Sequence, residues 1–436
     1  MKYKEKCLNN IKKISETDIS KMKFRMKNSD FTRNRKMTFK NVVYYNLNKK
    51  GLTSKMEIVE FNEIINCADI SSPAVLKQRE KLNADIYKEM QTVNLKEFYH
   101  NYKNEVKLFK GYILSATDGS DFEIPNTNTT RVNYNSTKNN FYVARAHISN
   151  SFDVLNHFIL STIIGPENAD EKEMDLQNLN EIKEMKLPYP IIRVKDRGYT
   201  SLKDIYYSNI NNDKFVVRLK KTDFKKQVSN MKSSDEIICI PYQYDRVRYY
   251  KNRDIDFYNL LEESKMDIKV RCVKIILSSG ETEILITNLS KEEVSSEEMN
   301  ELYKLRWQIE INYQVLKESL KIELITSSKE NLIRQDIYSQ MVAFNLLQAF
   351  INDAQEEIDQ EKYKYEMKIN TNMAVGFYKK FLLYIMIEED KDQKQRLLET
   401  LAESIKTYIV PIRKGRSYPR KKDKKNKYSI NKRKSF

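Results

Sequence analysis

The sequence predicts an α/β protein in which a core of strands and helices is interrupted by a β-rich insertion and flanked by helical regions. Two short apolar runs, residues 112–117 and 191–195, have the composition of buried strands, and an aspartate follows each directly. A later segment, residues 303–317, has helical spacing and carries a carboxylate among cations. Chemistry in α/β sheets is commonly found where strands end, so these three segments predict an enzyme core.

Length and composition narrow the class of protein. The 436 residues suffice for two or more domains with sizeable cores. No run approaches the roughly 20 consecutive apolar residues of a membrane helix, and the polar N-terminus lacks a signal-peptide core. The four scattered cysteines favour a reducing compartment over a disulfide scaffold or zinc site. Because the chain has only three histidines, carboxylates are the better candidates for binding a metal.

The net charge of +16 is concentrated at the two ends of the chain. Residues 411–436 hold 12 Lys and Arg side chains against one Asp, and residues 1–40 hold 13 against four acids. The sequence between them has a slight acidic excess. A lysine-rich composition alone would not produce this asymmetry, which indicates a polyanionic partner held by the two ends.

Residues 1–104 are predicted to form a helical N-terminal DNA-binding region. The segment 55–66 has apolar residues at helical spacing, and Ser72 is the expected N-cap of a second helix with Pro73 at its first position. That second helix, residues 74–83, is basic. The pair is compatible with a helix-turn-helix reader of DNA, although two ordinary packed helices would have the same pattern.

Residues 105–225 are predicted to form the first part of the core. We expect strands at 112–117, 191–195 and 215–219, and a mostly helical stretch around 152–163. The first two strands place Asp118 and Asp196 at strand ends, each close to a glycine. Asp-Gly pairs also occur simply as turns, and that alternative explains Asp118 better than Asp196.

Residues 226–294 are predicted to be a strand-rich insertion, and residues 295–410 a helical completion of the core followed by further helices. In the insertion, segments 268–272 and 283–287 form a hairpin pattern around a turn at 278–280. Ser295 and Glu298 have the spacing of a capping box that begins the next helix. Residues 411–436 are a basic tail.

The segment 303–317 has the spacing of a functional helix. Tyr303, Arg306, Glu310 and Lys317 are separated by three, four and seven residues and would share one helical face. A neighbouring apolar stripe consists of Leu302, Ile309, Leu316 and Leu320. A solvated amphipathic helix with an Arg306–Glu310 ion pair would show the same pattern.

Two aspartates at strand ends and one helical glutamate are the minimum for two divalent cations around a phosphodiester. Such ions activate the attacking oxygen and stabilise the leaving oxygen, so carboxylates suit this chemistry better than a Ser/His pair. Asp121, three residues after Asp118, is the alternative first ligand.

Three segments in order carry a resemblance to a known family: Asp118-Gly119-Ser120, then residues 196–199 (Asp-Arg-Gly-Tyr), then the Tyr-Arg-Glu-Lys segment at 303–317. Together they resemble the DDE transposases of bacterial insertion sequences. More closely, they resemble the cut-and-paste group with the Tyr-(2)-Arg-(3)-Glu-(6)-Lys (YREK) signature, the insertion-sequence-four family. The resemblance covers most of residues 60–422.

The resemblance implies a ribonuclease H-like core that uses Mg²⁺ or Mn²⁺, with two ions bound. The implied catalytic residues and metal ligands are Asp118, Asp196 and Glu310. The implied DNA contacts are Tyr303, Arg306, Lys317, Arg413, Arg416 and Arg420. The implied partners are double-stranded DNA, as element ends and as target, and a second copy of the chain in a synaptic homodimer, with no membrane. The implied location is the bacterial cytoplasm, at the nucleoid when DNA is bound.

The resemblance implies binding of terminal inverted repeats, metal-dependent cleavage at the element ends, and joining of the 3′-hydroxyl to target DNA. Two alternatives remain open from the sequence. One is a catalytically silent DNA-binding protein of transposase descent. The other is a ribonuclease H-like nuclease that cuts without joining.

Overall fold

The computed structural model describes residues 1–67, 70–135, 143–242, 245–277 and 280–413. Within these ranges the chain is a mixed α/β protein built around one large sheet. The strands of this sheet are β1 (Ile113–Glu123), β2 (Arg145–Asp153), β3 (Phe158–Pro166), β4 (Ile191–Lys195), β5 (Lys214–Arg218), β6 (Asp235–Ile240), β7 (Ile268–Ile276) and β8 (Thr282–Thr287). A separate antiparallel pair consists of β9 (Met367–Ile369) and β10 (Ile409–Pro411).

The eight strands lie in the order β3-β2-β1-β4-β5-β8-β7-β6. Strands β1, β4 and β5 are parallel neighbours at the centre, whereas the pairs on either side are antiparallel. Consecutive residues of β2 are buried whichever way they point, so both faces of the sheet are covered at this position.

The prediction of a mostly helical stretch around residues 152–163 is wrong. The chain there completes β2, turns, and returns as β3, which pairs with β2 in antiparallel register. The carboxylate of Asp153 closes the turn by accepting the N–H groups of Leu155 and Asn156 at 2.9 and 3.1 Å. Because both faces of these strands are buried, their apolar residues do not alternate, and the period of two that identifies a strand is absent.

Helices make up most of the remaining chain. In the N-terminal half they are α1 (Tyr3–Glu16), α2 (Asp18–Phe24), α3 (Phe39–Leu47), α4 (Ser54–Ile64), α5 (Ser72–Arg79), α6 (Asp85–Asn101), α7 (Asn128–Asn133), α8 (Glu171–Glu184) and α9 (Leu202–Asn211). The later helices are α10 (Lys225–Ser229), α11 (Asp245–Arg248), α12 (Ile255–Ser264), α13 (Ser296–Leu305), α14 (Gln308–Gln314), α15 (Glu330–Glu356), α16 (Thr371–Ile387) and α17 (Lys391–Thr407). Short 3₁₀ turns occupy Arg197–Tyr199, Tyr249–Asn252 and Gln360–Lys362. No helix of the described ranges is long and apolar enough to cross a bilayer.

The longest helix, α15, lies at the centre of the core. Its 27 residues correspond to roughly 40 Å at 1.5 Å per residue, and most of its side chains are buried. It packs against β3 and against the helices α1, α3, α6 and α17. The helical N-terminal region and the sheet therefore share one hydrophobic core.

The helix pair α4 and α5 occupies the segment predicted to be a helix-turn-helix reader. The predicted N-cap is off by one: Ser71, rather than Ser72, precedes α5, and Pro73 is the second helical residue. At its other end α5 is anchored by Arg79, whose fully buried guanidinium bonds to Asp336 of α15. This anchor fixes α5 to the core.

The strand-rich segment 226–294 adds to the central sheet. Strand β8 pairs with β5, and β7 and β6 follow outward. The segment also contains the helices α11 and α12 between β6 and β7, which the sequence did not predict. The predicted turn residues Ser278 and Ser279 lie outside the described ranges. The predicted capping box is confirmed, because the side chains of Ser295 and Glu298 each accept a backbone N–H at the start of α13.

Candidate active site

Two acidic residues lie at neighbouring positions where β1 and β4 run parallel. The last paired residues of the two strands are Thr117 and Lys195, and Asp118 and Asp196 follow them directly. The register therefore puts these two residues side by side at the edge where β4 ends. The sheet brings together two of the predicted ligands, and their role stays a prediction.

Asp118 does not lie at a strand end, as the sequence predicted. Strand β1 continues to Glu123 and pairs with β2 through this region, with Asp118 opposite Asn150. Gly119 is part of the strand rather than a turn. A Cβ atom at Gly119 would clash with the imidazole of His147, so the glycine permits a close approach of this side chain to the backbone.

The third acid, Glu310, lies on a helical segment that is broken twice. The prediction of one continuous helix over 303–317 is wrong: α13 ends at Leu305, α14 begins at Gln308, and Val315–Ser319 form a π-helix. At the first break the Arg306 N–H bonds to the Tyr303 carbonyl, three residues back, which tightens the turn. The four residues of the predicted apolar stripe are all buried despite these breaks: Leu302, Ile309, Leu316 and Leu320.

Arg306 is the cation at the centre of the three acids. Its guanidinium lies 3.2 Å from a carboxylate oxygen of Glu310, and the residue is only 4% exposed. Burial lowers the pKa of Arg306, but Tyr303 and the carboxylates of Asp196, Glu310 and Asp118 outweigh it, so the pKa is raised. The predicted Arg306–Glu310 pair is thus present, but Arg306 lies at the break between α13 and α14, and the pair adjoins a partly buried acidic cluster instead of lying on a solvated helical face.

Tyr303 and Lys317, which the sequence also predicts to contact DNA, bond within the protein as well. The hydroxyl of the buried Tyr303 donates to Asp196 Oδ1 at 3.3 Å. The Lys317 ammonium donates to the carbonyl oxygen of Asp121 at 2.6 Å and lies over the Phe122 ring. The side chains therefore frame the acidic cluster. Of the predicted tail contacts, Arg413 is exposed, and Arg416 and Arg420 lie outside the described ranges.

Among the acids of this cluster, Asp118 has a raised pKa. Burial raises the pKa of Asp118 to about 6, and the carboxylates of Glu171 and Glu310 add to the shift. The N–H of Gly119 and the guanidinium of Arg306 lower the pKa without reversing the shift. The charged form of Asp118 is therefore disfavoured mainly by burial, and a bound cation would favour it.

The donor chemistry of the cluster fits a hard divalent cation. Asp118, Asp196 and Glu310 all offer carboxylate oxygens, the ligands that Mg²⁺ and Mn²⁺ prefer. In the part of the chain that the structure describes, no three acidic, histidine or cysteine side chains are already at coordinating distance from one point. One carboxylate oxygen of Glu310 is paired with Arg306.

Three residues at this site were missed by the sequence reasoning. Glu171, the first residue of α8, lies beside Gly119 and Gly198. His147 of β2 contacts Asp121, its cross-strand partner. Tyr313 follows Glu310 by three residues, and that helical spacing is a signal that could have identified it.

Tyr313 fixes the main chain at Asp118. Its buried hydroxyl lies 2.7 Å from the Asp118 carbonyl oxygen and 3.1 Å from that of Ile148, and it accepts the Asn150 N–H at 3.1 Å. This one side chain links α14 to both strands of the β1–β2 pair. It thus holds the segment that carries Glu310 against the strand that carries Asp118.

Tyr313→Phe is expected to lower stability by about 1–3 kcal/mol, because a buried N–H and a buried carbonyl lose their partner. Thermal unfolding of the two proteins would measure the effect. Tyr384→Phe, at an exposed position on α16, is the matched control and should change the midpoint little. Equal midpoints for Tyr313→Phe and the wild type would contradict this role.

The sequence of this chain is similar to those of transposases. The family model described as "Transposase DDE domain" matches residues 110–346. The transposase for insertion sequence element IS421 of Escherichia coli is 31% identical over 94 residues, which are 22% of this chain and 24% of that protein. Transposase InsG for insertion sequence element IS4 of Escherichia coli K12 is 24% identical over 125 residues, 28% of this chain and 27% of its own. The chain thus spans about a quarter of the length of these curated relatives.

Among solved structures, the piggyBac transposase synaptic complex with hairpin DNA aligns over 92% of this chain and 83% of its own, with a TM-score of 0.43 and 8% identity. The family match includes β1 to β8, Asp118, Asp196 and the segment of Glu310, and it covers more than half of the sequence. The chain belongs to the transposase DDE domain family.

Proposed function

We propose that the protein is a DNA transposase that cleaves the ends of a mobile element and joins them to target DNA. The observation that carries the proposal is the register of β1 and β4, which sets Asp118 and Asp196 side by side. Glu310 pairs with Arg306 at 3.2 Å, and the carboxylates of Asp118 and Asp196 also help to raise the pKa of this guanidinium. The family membership supports the same reaction class.

Asp118, Asp196 and Glu310 would hold the metal, Mg²⁺ or Mn²⁺, as two ions. Bound there, the ions would activate the attacking oxygen and stabilise the leaving oxygen. Hydrolysis of the phosphodiester leaves a 3′-hydroxyl on the element end. That hydroxyl then attacks a target phosphodiester, so one bond breaks as one forms and no energy source is needed.

Tyr303, Arg306 and Lys317 would bind DNA phosphates near the cleaved end, as the YREK signature predicts. Each bonds to an acid or a carbonyl of the site in the structure without DNA. A phosphate that draws the Arg306 guanidinium away would free Glu310 for the metal. DNA binding and completion of the acidic site would then be a single step.

The core, residues 105–225 with its completion in 295–410, would be ribonuclease H-like, with 226–294 as an insertion. DNA ends would be bound by residues 1–104 and by the tail, residues 411–436, which includes Arg413, Arg416 and Arg420. An open groove in the N-terminal region supports this division, because eight Lys and Arg side chains against four acids line it. Its cations are Lys21, Lys27, Arg33, Arg35, Lys36, Lys40, Lys77 and Lys81. The working form would be a homodimer that holds two DNA ends, and the element would move by cut-and-paste transposition.

A strand-transfer assay tests the proposal. The protein is incubated with Mg²⁺, a labelled fragment carrying the flanking end of its own gene, and a target plasmid. Wild type should produce nicked end fragments and joined plasmid products, and Asp196→Asn should produce neither, because a predicted metal ligand is lost.

Equal amounts of nicked and joined products from wild type and Asp196→Asn would contradict the proposed enzymatic activity. Nicking by the wild type without joining would support a nuclease instead. End binding by both proteins, measured by gel shift, should persist, because the phosphate contacts do not depend on Asp196.

A further inference from the structure

A fourth carboxylate, that of Glu171, lies between the two acidic strand positions. Glu171 is the first residue of α8, a helix that packs on β1, β2 and β3. A Cβ atom at Gly119 would lie 3.2 Å from Glu171 Oε1, and a Cβ atom at Gly198 would lie 3.6 Å from Oε2. These two glycines follow Asp118 and Asp196 by one and two residues. The carboxylate of Glu171 therefore approaches both strands at the point where the proposed ligands lie.

Two buried polar atoms near Glu171 lack a hydrogen-bond partner among the described residues. His147 is 7% exposed, with Nδ1 2.8 Å from Asp121 and Nε2 3.6 Å from Glu171 Oε1. That Nε2 atom and the hydroxyl of Tyr199, which is 3% exposed, have no hydrogen-bond partner among the described residues. Burial raises the pKa of Tyr199, and the carboxylates of Glu171 and Asp118 add to this shift. Unpaired buried polar groups at one point indicate that a ligand or water belongs there.

The charge balance at this point is also incomplete. Glu171 Oε1 lies beside Gly119, the residue that follows Asp118 in β1, so a second acid adjoins Asp118 on this side. The guanidinium of Arg306 bonds to Glu310, on the other side of the site. Asp118 and Glu171 thus lie near each other in a partly buried cleft in which Arg306 is paired with Glu310. A divalent ion is the counter-charge such a pair accepts.

We propose that Glu171 is a fourth carboxylate ligand for the divalent cation, on the Asp118 side of the site, and that His147 is the residue that positions it. This inference rests on the proposed function, since it adds a ligand to the same acidic site. Asp121 orients His147 through Nδ1, and this leaves Nε2 facing Glu171 Oε1 at 3.6 Å, within ion-pair distance. His147 acts from β2, the neighbour of β1 on the side away from β4, whereas Glu171 of α8 approaches the residues that follow both Asp118 and Asp196.

The test measures metal binding rather than activity. Mn²⁺ is titrated into the metal-free full-length protein, and the free ion is counted by electron paramagnetic resonance. Glu171→Gln should weaken Mn²⁺ binding roughly tenfold or more, the usual cost of disturbing a metal's ligand shell. Asp118→Asn should weaken it as well. Glu173→Gln, an exposed acid two residues along α8, is the matched control and should bind as the wild type does.

The outcomes separate this inference from the proposed function. Normal Mn²⁺ binding by Glu171→Gln, with weakened binding by Asp118→Asn, would overturn the fourth ligand and leave the proposed function intact. No binding by wild type at millimolar Mn²⁺ would overturn the fourth ligand alone, because the proposed function completes the acidic site only when DNA binds. Normal binding by both Asp118→Asn and Asp196→Asn would overturn both. Should Glu171→Gln not fold, Glu171→Asp, which keeps the charge on a shorter side chain, should also bind more weakly, and equal affinity would count against the ligand.

Discussion

Replacing Asp118 by asparagine is expected to remove cleavage and joining while it raises the stability of the metal-free protein. Under the proposed function, Asp118 is a metal ligand, and its loss should lower the rate of that reaction by about three orders of magnitude or more, since a bound metal contributes several kcal/mol of transition-state stabilisation. The gain in stability has a separate cause. The carboxylate at 118 is buried beside Glu171 and Glu310, and this raises its pKa to about 6.

The sign of the pH dependence follows from that shift. Because the folded-state pKa of Asp118 lies above its usual value of 3.8, the folded protein holds this proton over a range where the unfolded chain has lost it. The contribution of Asp118 to stability is therefore favourable below pH 4 and is lost as the pH rises to about 6. Above pH 6 the charged side chain destabilises the fold by on the order of 1–3 kcal/mol, and asparagine removes this cost.

Thermal unfolding in the presence of a chelator, at pH 4.5 and pH 7.5, would measure the effect. The midpoint of Asp118→Asn should exceed that of wild type at the higher pH, with a smaller difference at the lower. Asp18→Asn is the control, because Asp18 is exposed, pairs with Lys21 and has a lowered pKa. A lower midpoint for Asp118→Asn than for wild type at pH 7.5 would contradict the destabilising effect inferred for the charged Asp118 carboxylate.

The sequence predicted the parts of the site that depend on local pattern. The strand at 191–195 was identified from a short apolar run, with Asp196 directly after it, and the strand predicted at 215–219 is found at 214–218. The capping box at Ser295 was identified from two residues at fixed spacing. The apolar stripe from Leu302 to Leu320 was identified because buried residues on a helix recur at regular intervals, even where the helix is broken.

The parts that failed depend on contacts between distant segments. Residues 152–163 were interpreted as helical because coverage of both faces of β2 and β3 removes the alternation of a strand. His147 meets Asp121 only because the β1–β2 register sets them opposite each other, 26 residues apart. Glu171 reaches the site because α8 packs back on those strands. No pattern within one segment contains this information.

The buried charge cluster at Asp336 is expected to produce the largest stability effect in the molecule. Asp336 is 2% exposed and bonds to the ammonium of Lys49 and the guanidinium of Arg79, which are buried as well. It also accepts the N–H and the hydroxyl of Thr326 at 2.9 Å. Burial raises its pKa, but Arg79 and Lys49 outweigh this and hold the pKa below its usual value. The cluster joins the N-terminal region to α15.

Asp336→Asn should destabilise the protein by about 3–5 kcal/mol at neutral pH, because two buried cations lose their counter-charge while the side chain keeps its shape. Burial and Arg79 already lower the pKa of Lys49 to about 8, against the pull of Asp336, and loss of Asp336 lowers it further. Lys49 can then become neutral in the folded state, so the deficit should shrink between pH 7 and pH 9. Thermal unfolding at both values would show it.

Two comparisons show whether charge or packing causes the loss. Asp359→Asn removes an exposed carboxylate that pairs with Lys362, and an exposed pair contributes less than about 1 kcal/mol, so its midpoint should barely move. The double variant Lys49→Met/Asp336→Asn removes one of the stranded cations and should recover part of the stability lost in Asp336→Asn. A double variant no more stable than the single one, with the same deficit at pH 7 and pH 9, would mean that lost hydrogen bonds to Thr326, and not unpaired charge, account for the effect.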